Sequence, residues 1–218
     1  EVKYCLWIDD DDLSEAKKYS LIAERIQKNY NFRINYQNKE LSKLSSRPHQ
    51  FRDRRVTSKY SIFVPQTGSE RRDYLPIGII GDDVILSHAV RVIYDTDIWI
   101  FSLLSSYLHA VWVKAVAGRL KNDMQYSNTL CYNSFPCPDL SNEDKSEMEK
   151  ASLKILEIRE KYSEKTMANL YAPETMPYEL KQIHSENDSL INGIYKIKDN
   201  NNKVMLETLF DLYESVIK

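Results

Sequence analysis

Asp97-Ile98-Trp99-Ile100-Phe101-Ser102-Leu103-Leu104-Ser105-Ser106-Tyr107-Leu108-His109-Ala110-Val111-Trp112-Val113-Lys114-Ala115-Val116-Ala117-Gly118 runs directly into Arg119-Leu120-Lys121-Asn122-Asp123-Met124-Gln125-Tyr126-Ser127. The apolar part carries Ser102, Ser105, Ser106, His109 and Lys114, so it reads as a buried helix over 98–117 and not as a membrane span. Asp97 is its expected N-cap and Gly118 its expected stop. His109 on such a helix is a packing histidine. The part that follows alternates basic, acidic and amide side chains, the pattern of a strand or extended loop in which residues two apart point the same way. Lys121, Asp123 and Gln125 would then face one groove. Lys donates to guanine O6 and N7, a carboxylate accepts from cytosine N4, and Gln pairs with adenine. A solvated strand face shows the same alternation, so at this point both readings stand.

Working outward, residues 60–65, 75–80 and 90–94 are short runs rich in β-branched and aromatic residues, bounded by Gly, Asp and Pro, and are expected to be strands. Before them, Leu13, Ala16, Tyr19, Ile22, Ala23, Ile26 and Tyr30 follow helical spacing, which predicts an amphipathic helix over 14–30 capped by Asp12 or Ser14. After Pro136 and Pro138 the character changes. Ser141 and Asp144 form a capping-box pattern that opens a helix reaching about residue 165, with Leu153, Leu156 and Tyr162 on its apolar side. A helix over 178–197 and a last one with Leu206, Leu209, Leu212, Tyr213 and Val216 on one face complete the chain. The expected fold is α+β: a small central β-sheet with packed helices in residues 1–138, then an all-α C-terminal domain in residues 139–218.

The 218 residues are 42% hydrophobic, enough for a core and too apolar for a disordered chain. The net charge of -2 conceals a segregation: residues 17–72 hold fourteen Lys and Arg against four Asp and Glu, whereas residues 139–218 hold eleven against sixteen. A phosphate backbone would lie along the basic part, where Arg47, Arg52, Arg54, Arg55 and Lys59 interleave with Phe51 and Tyr60. Cys5, Cys131 and Cys137 form no C-x-x-C pair, and the four histidines are scattered, so zinc spacing is absent. Unpaired thiols and the lack of an N-terminal charged-then-apolar pattern point to a cytoplasmic protein with no membrane association. The acidic run from Asp9 to Asp12 is read as a helix N-terminus before a metal site. Pro138-Asp139 with Glu143 and Lys145 mimics a metal-dependent nuclease signature, but the carboxylates are too close in sequence to sit on neighbouring strands.

Five ordered blocks then carry a resemblance. Ser69-Glu70-Arg71-Arg72-Asp73-Tyr74-Leu75-Pro76-Ile77-Gly78, Asp83-Val84-Ile85-Leu86-Ser87, Gly118-Arg119-Leu120 with Tyr126-Ser127, Tyr132-Asn133-Ser134-Phe135-Pro136, and the C-terminal strings Leu170-Tyr171, Thr175-Met176-Pro177 and Leu209-Phe210-Asp211-Leu212-Tyr213 are together similar to the target recognition and C-terminal regions of the MmeI-like family. These are single-chain bacterial restriction-modification proteins that methylate adenine N6. The resemblance implies double-stranded DNA as the partner. It implies base readout by Lys121 and Asp123 as a pair, with His88, Ala89, Gln125 and Gln66 for neighbouring base pairs. Arg71, Arg72, Arg119, Tyr126 and Ser127 would support the fold or grip phosphates, joined by Arg52, Arg54 and Arg55 of the basic run. Met124-Gln125 and Cys137 depart from the family's usual residues.

The family's (N/D)-P-P-(Y/F) methylation loop and its Gly-containing motif for S-adenosylmethionine do not occur here. The chain is therefore expected to be no enzyme by itself and to hold no cofactor. S-adenosylmethionine, with Mg if the nuclease is kept, would belong to a longer parent polypeptide whose methyltransferase domain is the second expected partner. Glu1 in place of Met fits a segment of such a parent. The other class of function open to this sequence is a protein-interaction or scaffold domain without DNA readout, working through the acidic helical end.

Overall fold

A computed structural model describes residues 4–120 and 123–217. They fall into two compact units, Glu1–Val56 and Thr57–Lys218.

In the first unit the helix expected over 14–30 is two helices, α1 (Leu13–Ala16) and α2 (Ser20–Ile34). Asp12 makes no side-chain cap. The chain instead turns through Lys18 and Tyr19 on short bonds to Glu15 and Ala16 carbonyls, and Tyr19 is extended. This break rotates the inward face of α2, where Ile26 and Arg33 are the buried residues and Tyr30 is exposed. Arg33 holds the following loop as a template would. After α3 (Lys39–Lys43), its guanidinium donates to the carbonyls of Leu44, Arg47 and Gln50 at 3.0, 2.7 and 2.8 Å. Asp10 accepts from Gln50 at 2.8 Å and meets His49 Nε2 at 2.9 Å; the His49 bond first, then Gln50, hold its carboxyl below the usual carboxylate range. Among the described residues no group of three or more His, Cys, Asp or Glu is placed to hold a metal.

In the second unit the order is β1 (Tyr60–Pro65), β2 (Thr67–Ser69), β3 (Gly78–Gly81), β4 (Val90–Tyr94), α4 (Trp99–Leu104), α5 (Tyr107–Val116), β5 (Gly118–Leu120), β6 (Asp123–Gln125), a π-helical turn Asn128–Tyr132, then α6 (Asn142–Glu160), α7 (Met167–Leu170), α8 (Tyr178–Ile194) and α9 (Asn202–Ile217). The fold is α+β as expected, with two antiparallel three-stranded sheets, ordered β3-β1-β4 and β2-β6-β5, in place of one. The strand expected over 75–80 begins only at Gly78. Pro76 has no N–H to give a ladder, and Ile77 folds back on the Leu75 carbonyl at 2.8 Å. Gly78 is required where it is: a Cβ there would stand 2.2 Å from the Phe63 ring, which covers it from the paired position on β1.

The helix expected over 98–117 is interrupted at Ser105 and Ser106. Ser106 is extended and its side chain caps α5 by accepting from the His109 N–H at 3.1 Å, a local bond that competes with continuing the helix. Ile98, not Asp97, is the N-cap of α4, while Ala117 is the C-cap of α5 and Gly118 follows it directly, where the helix stop is expected. Among the described residues no helix is long and apolar enough to cross a membrane.

One core joins Ile62, Val64, Ile77, Phe101 and Met124 to Ile155, Leu170 and Leu180; a second joins Trp112 and Phe135 to Met148, Ile191, Met205 and Leu209. The Ser141–Asp144 capping box opens α6. The inward stripe of α6 corrects the expected one in part: Met148, Ser152, Ile155 and Arg159 are buried and Leu156 and Tyr162 pack against the core, while Leu153 is 53% exposed. A stripe containing Ser and Arg is legible only through its partners, since Ser152 accepts from the Ser102 N–H at 2.9 Å and Arg159 donates to the Ile77 carbonyl at 2.7 Å. On α9, Met205 and Leu209 are buried and Val216 is exposed.

Candidate nucleic-acid interface

The site is built on the residue where the two sheets meet. Pro65 ends β1, and Gln66 donates its N–H to the Ala89 carbonyl at 2.9 Å while its own carbonyl accepts from the Tyr126 N–H at 2.7 Å. One residue thus ties the turn before β4 to the strand β6. Ser87 shapes that turn, accepting from the Ala89 N–H at 3.3 Å and leaving His88 and Ala89 exposed. Beyond Gln66, β2 pairs with β6 in the register Thr67 to Gln125, Gly68 to Met124 and Ser69 to Asp123.

Strand alternation does the rest. Met124 is 2% exposed and points into the core, so Asp123 and Gln125 point outward together. Gln125 donates to Thr67 Oγ1 at 3.0 Å, which orients its amide. The structure therefore gathers Gln66, His88, Ala89, Gln125 and, at the far end of a three-residue strand, Asp123. Lys121 lies outside the described residues. The single extended segment expected over 118–127 is in fact a hairpin, β5 against β6, with Gly118 opposite Gln125 and Leu120 opposite Asp123.

The sequence reading missed Arg91. It lies on β4 opposite buried Val64 and two residues from Ile93, so its stem shares the apolar face of the sheet. Gln66's side-chain amide stands between the His88 carbonyl at 2.9 Å and the Arg91 guanidinium at 3.2 Å; its nitrogen is assigned toward the first and its oxygen toward the second, the orientation in which both contacts are hydrogen bonds. Arg91 Nε is buried without a partner. The signal was available in principle, because strand alternation from Ile93 puts an arginine on an apolar face.

The expected phosphate-gripping residues divide. Arg71 and Arg119 are exposed and ion-paired with Glu174 and Glu70. Exposed pairs of this kind contribute only about 0–1 kcal/mol, so a phosphate can take the carboxylate's place. Arg72 reaches the Ala168 carbonyl at 3.4 Å. Tyr126 takes the first of its two expected roles, supporting the fold: it is 4% exposed, with its hydroxyl 3.1 Å from His109 Nε2, and belongs to the core. His109 itself is kept neutral there, burial lowering its pKa to about 3. Ser127 caps the π-helical turn through the Leu130 N–H at 3.4 Å.

In the first unit, the basic run is less available than its composition suggests. Arg47 donates to the Phe51 and Arg52 carbonyls, both at 2.9 Å, and Arg54 pairs with Asp9 and lies 5.3 Å over the Trp7 ring. Arg52 and Arg55 are exposed. Of the nuclease-like residues, Asp139 precedes the α6 cap, while Glu143 and Lys145 fall in its first turn, Lys145 lying 5.5 Å over Trp99.

Comparison with known proteins identifies the family. The family described as MmeI, target recognition domain matches residues 1–139, and that described as MmeI, C-terminal domain matches residues 140–218. DNA methyltransferase A of Bacillus subtilis (strain 168) is 44% identical over 216 residues, covering 99% of this chain and 24% of the relative. The solved structure of the Type IIL restriction-modification enzyme MmeI in complex with DNA superposes with a TM-score of 0.93 at 34% identity, over 98% of this chain and 29% of that one. The chain thus spans about a quarter of the length of these relatives. With both family descriptions meeting end to end along it, the chain belongs to the MmeI family as a target recognition domain followed by a C-terminal domain.

Proposed function

We propose that this chain is the sequence-reading part of a larger restriction-modification DNA adenine-N6-methyltransferase, contacting double-stranded DNA while catalysis lies elsewhere in the parent polypeptide. The observation that carries the reading is the convergence of Gln66, His88, Ala89 and Gln125, far apart in sequence, on one edge where two sheets join. Those residues with Asp123 and Lys121 are the base readers. Arg71, Arg72 and Arg119 beside them, and Arg52, Arg54 and Arg55 in the first unit, are the backbone contacts. Ser127 acts through the turn it caps.

Residues 1–138 act as the recognition part and residues 139–218 as a helical support. S-adenosylmethionine, and Mg for any nuclease, would be held by the parent and not by these residues, and the parent would work in the cytoplasm. The first unit exposes Leu21, Phe32 and Ile34, which favours a covering surface contributed by the methyltransferase part of the same parent.

The test is direct. Mapping methylated adenines made by the parent defines its recognition sequence, and retardation of a duplex carrying that sequence by this chain at low salt tests binding. A chain that retards no duplex, within a parent that methylates without sequence preference, would return the protein to the interaction-domain class.

A further inference from the structure

We infer that Arg91 sets the base preference of Gln66, by holding the Gln66 side-chain oxygen toward the protein and leaving an amide N–H as the group free to face a base. The inference rests on the DNA-reading assignment above and deepens it. A free glutamine offers a donor and an acceptor, the pairing that fits adenine N6 and N7. With the amide assigned so that both contacts are hydrogen bonds, the oxygen accepts from the Arg91 guanidinium at 3.2 Å and one amide hydrogen goes to the His88 carbonyl at 2.9 Å. What remains is one N–H and the second lone pair of an oxygen already turned to the guanidinium.

Arg91 is well placed to impose this. Its stem lies along the apolar face beside Val64 and Ile93, which restricts its rotamers, and no carboxylate pairs with it among the described residues. Its Nε is buried without a partner. The Gln66 main chain is fixed at both ends, by Ala89 and by Tyr126, so the amide cannot escape the guanidinium by a backbone shift. An amide that presents its N–H favours the base edge richest in acceptors, which in the major groove is guanine with O6 and N7. Arg91 is in this sense a positioning residue, acting through Gln66 without touching the base.

The experiment uses the full-length parent and duplexes carrying each of the four base pairs at every position of the mapped site. Wild type is expected to require guanine at the one position that responds to Gln66. Arg91→Met keeps the stem's volume and releases the amide oxygen, and should admit adenine there, narrowing the guanine preference by about tenfold while other positions keep theirs. Gln66→Lys, which can only donate, should keep guanine; Gln66→Glu, which can only accept, should turn the preference to cytosine. Kept preference at the other positions and an unchanged melting transition show that Arg91→Met is folded, and if it is not folded the two Gln66 variants decide alone. A Gln66-dependent position that is adenine-specific in wild type, or an Arg91→Met enzyme with unaltered preference, overturns the inference. A wild-type parent with no sequence preference at all would instead remove the reading on which it rests.

Discussion

Arg159 Nε donates to the Tyr171 hydroxyl at 2.7 Å in the interior of the second unit. Among the described residues no carboxylate is ion-paired with this guanidinium; it lies over the Phe101 and Tyr171 rings and donates to the Ile77 carbonyl. The same hydroxyl donates to His184 Nε2 at 2.9 Å, and His184 Nδ1 lies 3.2 Å from the Ser105 carbonyl. Burial, with the nearby Arg159 charge, lowers the His184 pKa to about 3, so the ring is neutral and able to accept. These bonds fasten the residue before β3, the end of α4, α6 and α8 around one tyrosine oxygen.

Tyr171→Phe should therefore cost about 3 kcal/mol, because it leaves a buried charged donor without its acceptor. Adding Arg159→Met should recover part of that loss, since removing both partners is cheaper than removing one. A double-mutant cycle in urea checks this, and strict additivity would contradict it.

Asp188 accepts from the Tyr74 hydroxyl and the Tyr107 N–H, both at 2.7 Å, yet burial raises its pKa to about 6. A carboxyl raised above its unfolded value binds its proton more tightly in the native state. Its contribution is thus most favourable below pH of about 4 and declines as pH rises to about 6, by about 3 kcal/mol in total. Asp188→Asn, which keeps both contacts by presenting its oxygen to Tyr107 and its nitrogen to Tyr74, should remove that decline. Melting transitions of the two proteins across pH 3 to 8 would show their difference growing over this window and constant above it.

Exchanging Lys121 for Glu and Asp123 for Arg in the parent should turn one G·C requirement into C·G and leave the rest of the site unchanged. Either single change should lose about tenfold or more in methylation, as it sets two like charges against one base pair. If all three variants keep the original specificity, these residues lie on an ordinary solvated face.

Arg119→Gln should weaken binding of cognate and scrambled duplexes alike, and lower the slope of log affinity against log salt by about 1. The lost pair with Glu70 is exposed, so folding should be nearly unaffected. Tyr126→Phe should do the reverse, leaving the salt slope unchanged and costing about 1 kcal/mol of stability through the bond to His109. Fluorescence anisotropy over a salt series separates the two.

What the sequence made legible follows from where the pattern is local. Strands β1 and β4, the capping box at Ser141 and the packing role of His109 each rest on neighbouring residues, and the structure has them where periodicity and cap chemistry put them. The breaks were hidden because they depend on a single side chain choosing a local partner, as Ser106 does at the start of α5. The inner face of α6 was hidden for the opposite reason: Ser152 and Arg159 are inside only because Ser102, Ile77 and Tyr171 meet them from distant segments. At the site, resemblance named Gln66, His88 and Gln125; alternation from Ile93 marks Arg91 only as an arginine on an apolar face, and its contact with Gln66 exists only where β4 passes the end of β1.

Met124, anchored between its two outward neighbours, also fixes a length. Alternate residues of an extended strand are about 6.7 Å apart, and duplex DNA rises about 3.4 Å per base pair. If β6 lies along a groove, Asp123 and Gln125 address base pairs two steps apart and pass over the one between. The recognition sequence would then contain a pair that this strand does not inspect, left to the 88–89 turn, to Gln66 or to no residue at all.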